Sequence, residues 1–288
     1  MIQSVMSSHP PKLRFVTYLC PSVPVEYFET IIYYLGDQLG CDVSLLYESR
    51  FSGPPNDSAD PFSLNEVDIG FMCSSPFLKL LESKANVCEL LPAAPLAMHP
   101  KNSGNRPVYF ADVVVHKDNV AKYPEFKNLR GARWAYNEPT SLSGCLSTLS
   151  TLKKMGENAN FFGHSVQSGS HLKSLQMVLN HTVDGAAIDS FSLMMQKAQN
   201  LDLEKNIHVI ESWGPYPIQP LVFRAGLDVK LKKKVTQALL EAHADPEMRA
   251  KLEQFGISKF VPVNMSLFDR ETQLQEDVKG LTNRPAYY

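Results

Sequence analysis

Apolar residues along this chain alternate between a spacing of two and a spacing near 3.6, and the switches come at short intervals. Residues 13–19 read as a strand. Val25, Phe28, Ile31, Ile32 and Leu35 then fall on one face of a helix over 24–39, which Gly40 stops. A second strand is predicted over 42–47, a turn-rich loop over 50–61, and a short buried strand over 67–72. Ser74-Ser75-Pro76 opens a helix carrying Phe77, Leu78, Leu80 and Leu81. Proline is tolerated in a first turn because its missing N–H has no acceptor there. The pattern continues with strands over 108–115, 132–136, 183–188, 206–212 and 221–224, and with helices over 228–243 and 245–256. Residues 213–220, Trp-Gly-Pro-Tyr-Pro-Ile-Gln-Pro, read as a rigid connector. Such alternation predicts an α/β fold with a mainly parallel sheet covered by helices.

Two of the helix starts are rich in hydroxyls. Glu138-Pro139-Thr140-Ser141-Leu142-Ser143-Gly144 leads into a helix marked by Leu146, Leu149 and Leu152. Gln167-Ser168-Gly169-Ser170-His171 precedes Leu172, Leu175, Val178 and Leu179, with Asn180 as a stop. Each fits an ordinary Ser/Thr cap. Both also suit an anion, because the first amides of a helix lack partners and its dipole is positive there. There is a faint internal echo as well. Val67-Asp68 and Val183-Asp184 each open an apolar strand followed by small polar residues, Ser74-Ser75 in one case and Asp189-Ser190 in the other. Ligands of open α/β sheets sit outside the carboxyl ends of the strands, so the echo suggests two similar lobes facing a shared cleft.

The 288 residues carry a formal net charge of −2, which gives no basic surface for nucleic acid. No apolar run approaches the roughly 18 residues of a membrane span. The first 11 residues are polar, unlike a secretory signal. Cys20, Cys41, Cys73, Cys88 and Cys145 show neither metal-site nor disulfide spacing and point to a reducing, cytoplasmic setting. No metal or cofactor is expected.

Five pieces, VDIGFMCSSPFLKL, YFADVVVHKD, FKNLRGARWAYNEPTSLSG, FFGHSVQSGSHLKSLQMVLNHTVDGAAIDS and the helical tail from Asp228, follow one another in a familiar order. Together they resemble the phosphate-, phosphite- and phosphonate-binding proteins of ABC importers, which have the type II periplasmic-binding-protein fold. The PTSxSG and SGSH pieces carry the resemblance most specifically. It implies two Rossmann-like lobes joined by a two-segment hinge, the first made of 1–107 and 224–288 and the second of 108–223. It also implies a small phosphorus oxyanion held between the lobes. Thr140, Ser141 and Ser143 would hold phosphoryl oxygens, and Ser170 and His171 would approach the same group. Asp189 would face the substituent on phosphorus or accept a P–OH proton, and Ser74 and Ser75 would close the cage from the first lobe. Phe77 would take the place of an aromatic usual after the first-lobe strand. Trp213 and Tyr216 would either wall the organic substituent or pack the hinge. The implied partner is a transporter or another protein. The chain differs from that family in showing no secretory signal, which implies a cytosolic relative.

The leading function is therefore non-catalytic capture of phosphate, a phosphonate or a phosphate ester. Neutral hydroxyls and amides suit this because they select by geometry without a buried cation. The alternative is an enzyme on the same scaffold. Cys145 near a helix start could be an activated nucleophile with His171 as its base, or simply a small buried helix residue. The Cys-rich motif of thiamine-precursor synthases on this fold is absent. A third reading, an interaction protein without ligand, is opposed by the intact PTSLSG and QSGSH pieces.

Overall fold

A computed structural model describes residues 10–48, 52–55, 59–83 and 86–281. The polar residues 1–9, part of the loop expected over 50–61, and the last residues of the tail, 282–288, lie outside the described residues. The strands are β1 (Lys12–Thr17), β2 (Asp42–Tyr47), β3 (Ile69–Phe71), β4 (Cys88–Leu90), β5 (Ala93–Ala97), β6 (Val108–His116), β7 (Arg133–Tyr136), β8 (His164–Gln167), β9 (Gly185–Asp189), β10 (Ile207–Pro217), β11 (Leu221–Arg224) and β12 (Ile257–Pro262). The helices are α1 (Val25–Leu39), α2 (Ser74–Ser83), α3 (Ser147–Lys154), α4 (His171–Leu179), α5 (Ser190–Gln199), α6 (Leu201–Asn206), α7 (Val229–Glu241), α8 (Pro246–Gln254) and α9 (Asp269–Asp277).

Two five-stranded sheets result, ordered β2-β1-β3-β11-β4 and β10-β6-β9-β7-β8, with β12 and β5 forming a separate pair. Neither large sheet is mainly parallel throughout. β1 pairs in parallel with β2 and β3, but β11 runs antiparallel to both β3 and β4. β7 pairs in parallel with β8 and β9, but β6 runs antiparallel to both β9 and β10. The reason is connectivity. β6 and β11 each arrive from the other sheet, so they enter where their neighbours exit and run the opposite way. β11 lies in the first sheet and β10 in the second, so the return crossing falls over 218–220, just before β11. The connector expected over 213–220 is mostly strand, since β10 continues through Trp213 and Tyr216. α5, α6 and α9, and the short strands β4, β5, β8 and β12, had no clear periodic signal in the sequence.

The echo between the two lobes has a physical counterpart. The buried carboxylate of Asp68, just before β3, accepts from the Arg14 backbone N–H at 3.0 Å and from Arg14 Nε at 2.9 Å. Asp184, just before β9, accepts from the Arg133 backbone N–H at 2.8 Å and from Arg133 Nε at 3.1 Å. In both cases the aspartate amide returns a bond to the arginine carbonyl, at 2.8 Å. Arg224 at the end of β11 adds a contact of its own to Asp68, at 3.0 Å. The carboxylate thus ties β1 and β11 together across β3. Burial alone would raise the Asp68 pKa, but the bonds from Arg14 and Arg224 outweigh it and hold the carboxyl below its ordinary value.

The chain's last described helix touches both lobes. Glu271 of α9 accepts a hydrogen bond from Ser75 of α2 at 2.7 Å, and Gln275 reaches the same serine at 3.2 Å. On the other side, Arg270 reaches the Pro215 carbonyl of β10 and Lys153 of α3 reaches the Asp277 carbonyl. Val278 packs with Tyr136, Cys145 and Leu149.

Because the folded pKa of Asp68 is depressed, its contribution is complete at neutral pH and is lost as pH falls through that lowered value, below about 4. Asp68→Asn is expected to lower stability at pH 7 by about 1–3 kcal/mol and to remove part of the acid sensitivity. Denaturant titrations of both proteins at neutral and acid pH measure this. An unchanged midpoint at pH 7 would show that the clamp contributes nothing.

Candidate functional site

A cavity of about 70 Å³ lies between the two sheets, where the strands of both end. Thr140, Ser141, Ser143, Ser170, His171, Asp189, Ser74 and Ser75 all line it. They arrive there because four helices begin at its wall. α2 starts at Ser74. A π-helical turn, Leu142–Leu146, runs straight into α3, and α4 starts at His171. α5 starts at Ser190 with Asp189 as its cap.

The cap interactions explain the local sequence. Ser141 Oγ accepts from the Gly144 N–H at 3.2 Å, and Ser170 Oγ accepts from the Lys173 N–H at 3.1 Å. These two serines are therefore caps and cavity wall at once. The first bonds within the turn are from Cys145 and Leu146 N–H to the Ser141 carbonyl, so the Leu142 and Ser143 amides precede any intrahelical acceptor. The extra residue of a π turn, a feature often found at functional sites, widens this opening. Ser168 binds Ser174 Oγ at 2.6 Å and the Ser170 carbonyl at 3.0 Å, which shapes the entrance to α4 without facing the cavity. Gly169 next to it has φ +90, a backbone angle that side chains disfavour.

Two of the four helix starts are already answered by carboxylates. Asp189 Oδ1 accepts from the Phe191 N–H at 2.8 Å and the Ser192 N–H at 3.3 Å, and Gln219 donates to its other oxygen. Burial pushes Asp189 up to about 7; the Asp112 charge adds to that, while the two amides and Gln219 oppose it. Glu271 of α9 bonds the hydroxyls at the start of α2, and burial raises its pKa too. The π turn leading into α3 and the start of α4 carry no such counter-charge.

Among the described residues no Lys or Arg lines the cavity. The nearest substitute is a neutral histidine. His171 is buried, and burial pushes its pKa down to about 4. Its Nε2 lies 3.2 Å from Ser143 Oγ and 3.3 Å from Asn137 Nδ2. With the Asn137 N–H donating to Nε2, the ring carries its proton on Nδ1. That Nδ1, Asn137 Oδ1 and Gln219 Oε1 are buried without a recorded partner, and all three residues line the cavity. Buried polar atoms without a partner call for an explanation, and here they belong to residues of the cavity wall. Glu138, also on the wall, accepts from Ser52 of the first lobe at 3.1 Å, and burial raises its pKa.

The aromatic wall differs from the expected one. Phe77, Trp213 and Tyr216 do not line the cavity. Phe77 faces Phe268 edge-on at 5.8 Å in the core beneath α2. Trp213 stands edge-on to Phe126 at 4.8 Å and donates to Glu211 at 2.7 Å. Tyr216 packs behind Tyr109 at 5.9 Å. The pairing of β10 with β6 turns the last two rings away, which the proline-rich sequence did not reveal. Tyr18 and Tyr109 take the place of that trio. Burial, helped by the charges of Asp189 and Glu271, pushes Tyr109 well up and keeps its hydroxyl protonated. Cys145 packs in the core with Tyr136 and Leu149 and does not line the cavity, so it is not placed to attack a ligand there. Asn137, Glu138 and Gln219 were not singled out from the sequence, although the first two directly precede the Pro-Thr-Ser piece.

These two lobes with a polar cavity at their junction define a type II periplasmic-binding-protein fold. The sequence matches, over residues 15–268, the family described as "ABC transporter, phosphonate, periplasmic substrate-binding protein", and the chain belongs to that family. Solved structures agree on the fold. A binding protein component of an ABC phosphonate transporter from Pseudomonas aeruginosa is similar with a TM-score of 0.73 at 18% identity, covering 96% of this chain and 91% of that one. PhnD1 from Prochlorococcus marinus in complex with methylphosphonate gives 0.72 at 15%, covering 95% and 100%. A Xanthomonas citri protein bound to ATP gives 0.58 at 16%, covering 93% and 97%. No curated protein matches the chain. The family is described as periplasmic, which gives no support to the cytoplasmic setting expected from the cysteines. Among the described residues no helix is long and apolar enough to cross a membrane.

Gly144 tests the geometry. A Cβ there would stand 1.9 Å from Asn137 Oδ1 and 3.2 Å from His171 Cε1. Gly144→Ala is expected to displace both side chains and to weaken anion binding by about 1–3 kcal/mol through unsatisfied polar groups. Unchanged affinity by calorimetry would show that this pair does not face the ligand.

Proposed function

We propose that this protein captures a small phosphonate in the interlobe cavity and hands it to an ABC importer without chemical change. The observation that carries this reading is the cavity itself, where two helix starts without counter-charge meet neutral donors and no lysine or arginine. Thr140, Ser141, Ser143, Ser170 and His171 hold the oxyanion, with Asn137 beside them. With Phe77, Trp213 and Tyr216 elsewhere, the aromatic wall expected from those three residues is not part of the cavity. We assign β1 to β5 with β11 and β12 to the first lobe, β6 to β10 to the second, and closure about the two crossings to the binding motion. The family's periplasmic setting supports a place of action outside the cytoplasm.

Asp189 and Glu138 give the site its selectivity. A carboxyl with a pKa near 7 shares a proton with a P–OH or P–O⁻ group, but an ionised one repels a fully ionised anion. Calorimetry with methylphosphonate, phosphate and sulfate tests the reading. Methylphosphonate is expected to bind and sulfate, which carries no proton at neutral pH, to bind poorly. Failure of every phosphorus oxyanion to bind would overturn it.

Ser143→Ala is expected to weaken methylphosphonate by about 1–3 kcal/mol, since Ser143 Oγ links the oxyanion space to His171. Affinity should also fall as pH rises through about 7, because Asp189 loses its proton there. Asp189→Asn retains a good helix cap and should flatten that part of the pH profile. An identical profile in wild type and variant would remove Asp189 from the ligand's surroundings.

A further inference from the structure

At the far end of the second sheet lies a cluster that the anion site does not use. His116 ends β6, Asp118 follows in a short 3-10 turn, and His181 sits in the loop between α4 and β9. One ligand atom from each lies within 4.8 Å of the others. His116 Nδ1 is 3.4 Å from Asp118 Oδ2, and the His116 and His181 rings are 4.1 Å apart and tilted by 49°.

We propose that His116, Asp118 and His181 bind a borderline first-row dication of the zinc type. Bonds of about 2.0–2.1 Å at tetrahedral angles place ligand atoms roughly 3.3 Å apart, close to the His116–Asp118 separation. The widest gap, 4.8 Å, closes by side-chain rotation of the exposed Asp118 and His181. Two imidazoles and one carboxylate leave a fourth position for water, and this mixed donor set suits zinc over magnesium or calcium, which take oxygen ligands. The framework is firm. β6 and β9 are paired strands, with Val115 opposite Gly185; His116 ends β6, and His181 sits in the turn four residues before β9. His116 is largely buried; its Nδ1 accepts from the Asp118 N–H at 3.2 Å and would exchange that bond for the metal. Tyr109 at the other end of β6 lines the anion cavity. Seven strand steps at about 3.3 Å each put the two sites roughly 23 Å apart, so the metal does not touch the anion.

The test is a zinc titration of the full chain, free of any polyhistidine tag, against a chromophoric chelator near neutral pH. One equivalent is expected to bind. His181 has φ 54, so His181→Asn keeps a residue that tolerates this turn while removing the imidazole. That variant should lose at least about tenfold in zinc affinity, the lower end of what even an outer-shell change costs a metal site. Asp118→Asn should weaken zinc as well, and His164→Ala, an exposed histidine outside the cluster, should not. Zinc should raise the melting temperature of the wild type and not of His181→Asn, while magnesium raises neither. Both variants should bind methylphosphonate as the wild type does, which certifies their folding. Equal zinc affinity in wild type and His181→Asn, or no saturable equivalent in the wild type, would overturn the proposal.

Discussion

Each lobe depends on one carboxylate that holds an arginine across neighbouring strands. Asp68 with Arg14, and Asp184 with Arg133, make the same set of backbone and side-chain bonds at the same offset from the strand that follows. The next residue pairs in register are Phe15 with Ile69 and Trp134 with Gly185. Fixing register at that end fixes where the strands stop at the other. Tyr18 and Cys73 therefore reach the cavity together from one side, and Asn137 and Asp189 reach it together from the other. A slip of one residue would turn every side chain over and break up the site.

From that frame follows a candidate anion site that no cation lines among the described residues. Each helix start is equivalent to roughly half a positive charge. Four starts meet at the cavity, and Asp189 and Glu271 answer two of them. The π turn before α3 and the start of α4 keep partial positive charge spread over several amides. A spread charge fixes geometry better than a flexible lysine head, because each amide has one direction. The neutral His171 fits the same logic, since an imidazolium beside Ser143 would attract any anion, whatever its shape.

How far the sequence revealed this depended on the range of each interaction. The hydroxyl caps before α3 and α4 were legible because capping is local, and Ser141, Ser143, Ser170 and His171 meet at one cavity. The Val-Asp echo was legible too, but the arginine partner of each aspartate was not, because Arg14 and Arg133 lie more than 50 residues away. The turn of Trp213 and Tyr216 away from the cavity depends on the pairing of β10 with β6, about 100 residues earlier, and no local pattern encodes it. Glu271 sits in a polar, weakly patterned helix that packs against β10 and the π turn and bonds Ser75 of α2, all distant in sequence.

α9 lies across the junction with one hand on each lobe, through Glu271 and Gln275 on α2 and through Arg270 and Val278 on the second lobe. Lobes that swing apart must carry such a helix with one of them and strip it from the other. Contacts that reach both lobes oppose their separation, and on the α2 side they end at Ser75 of the cavity wall itself.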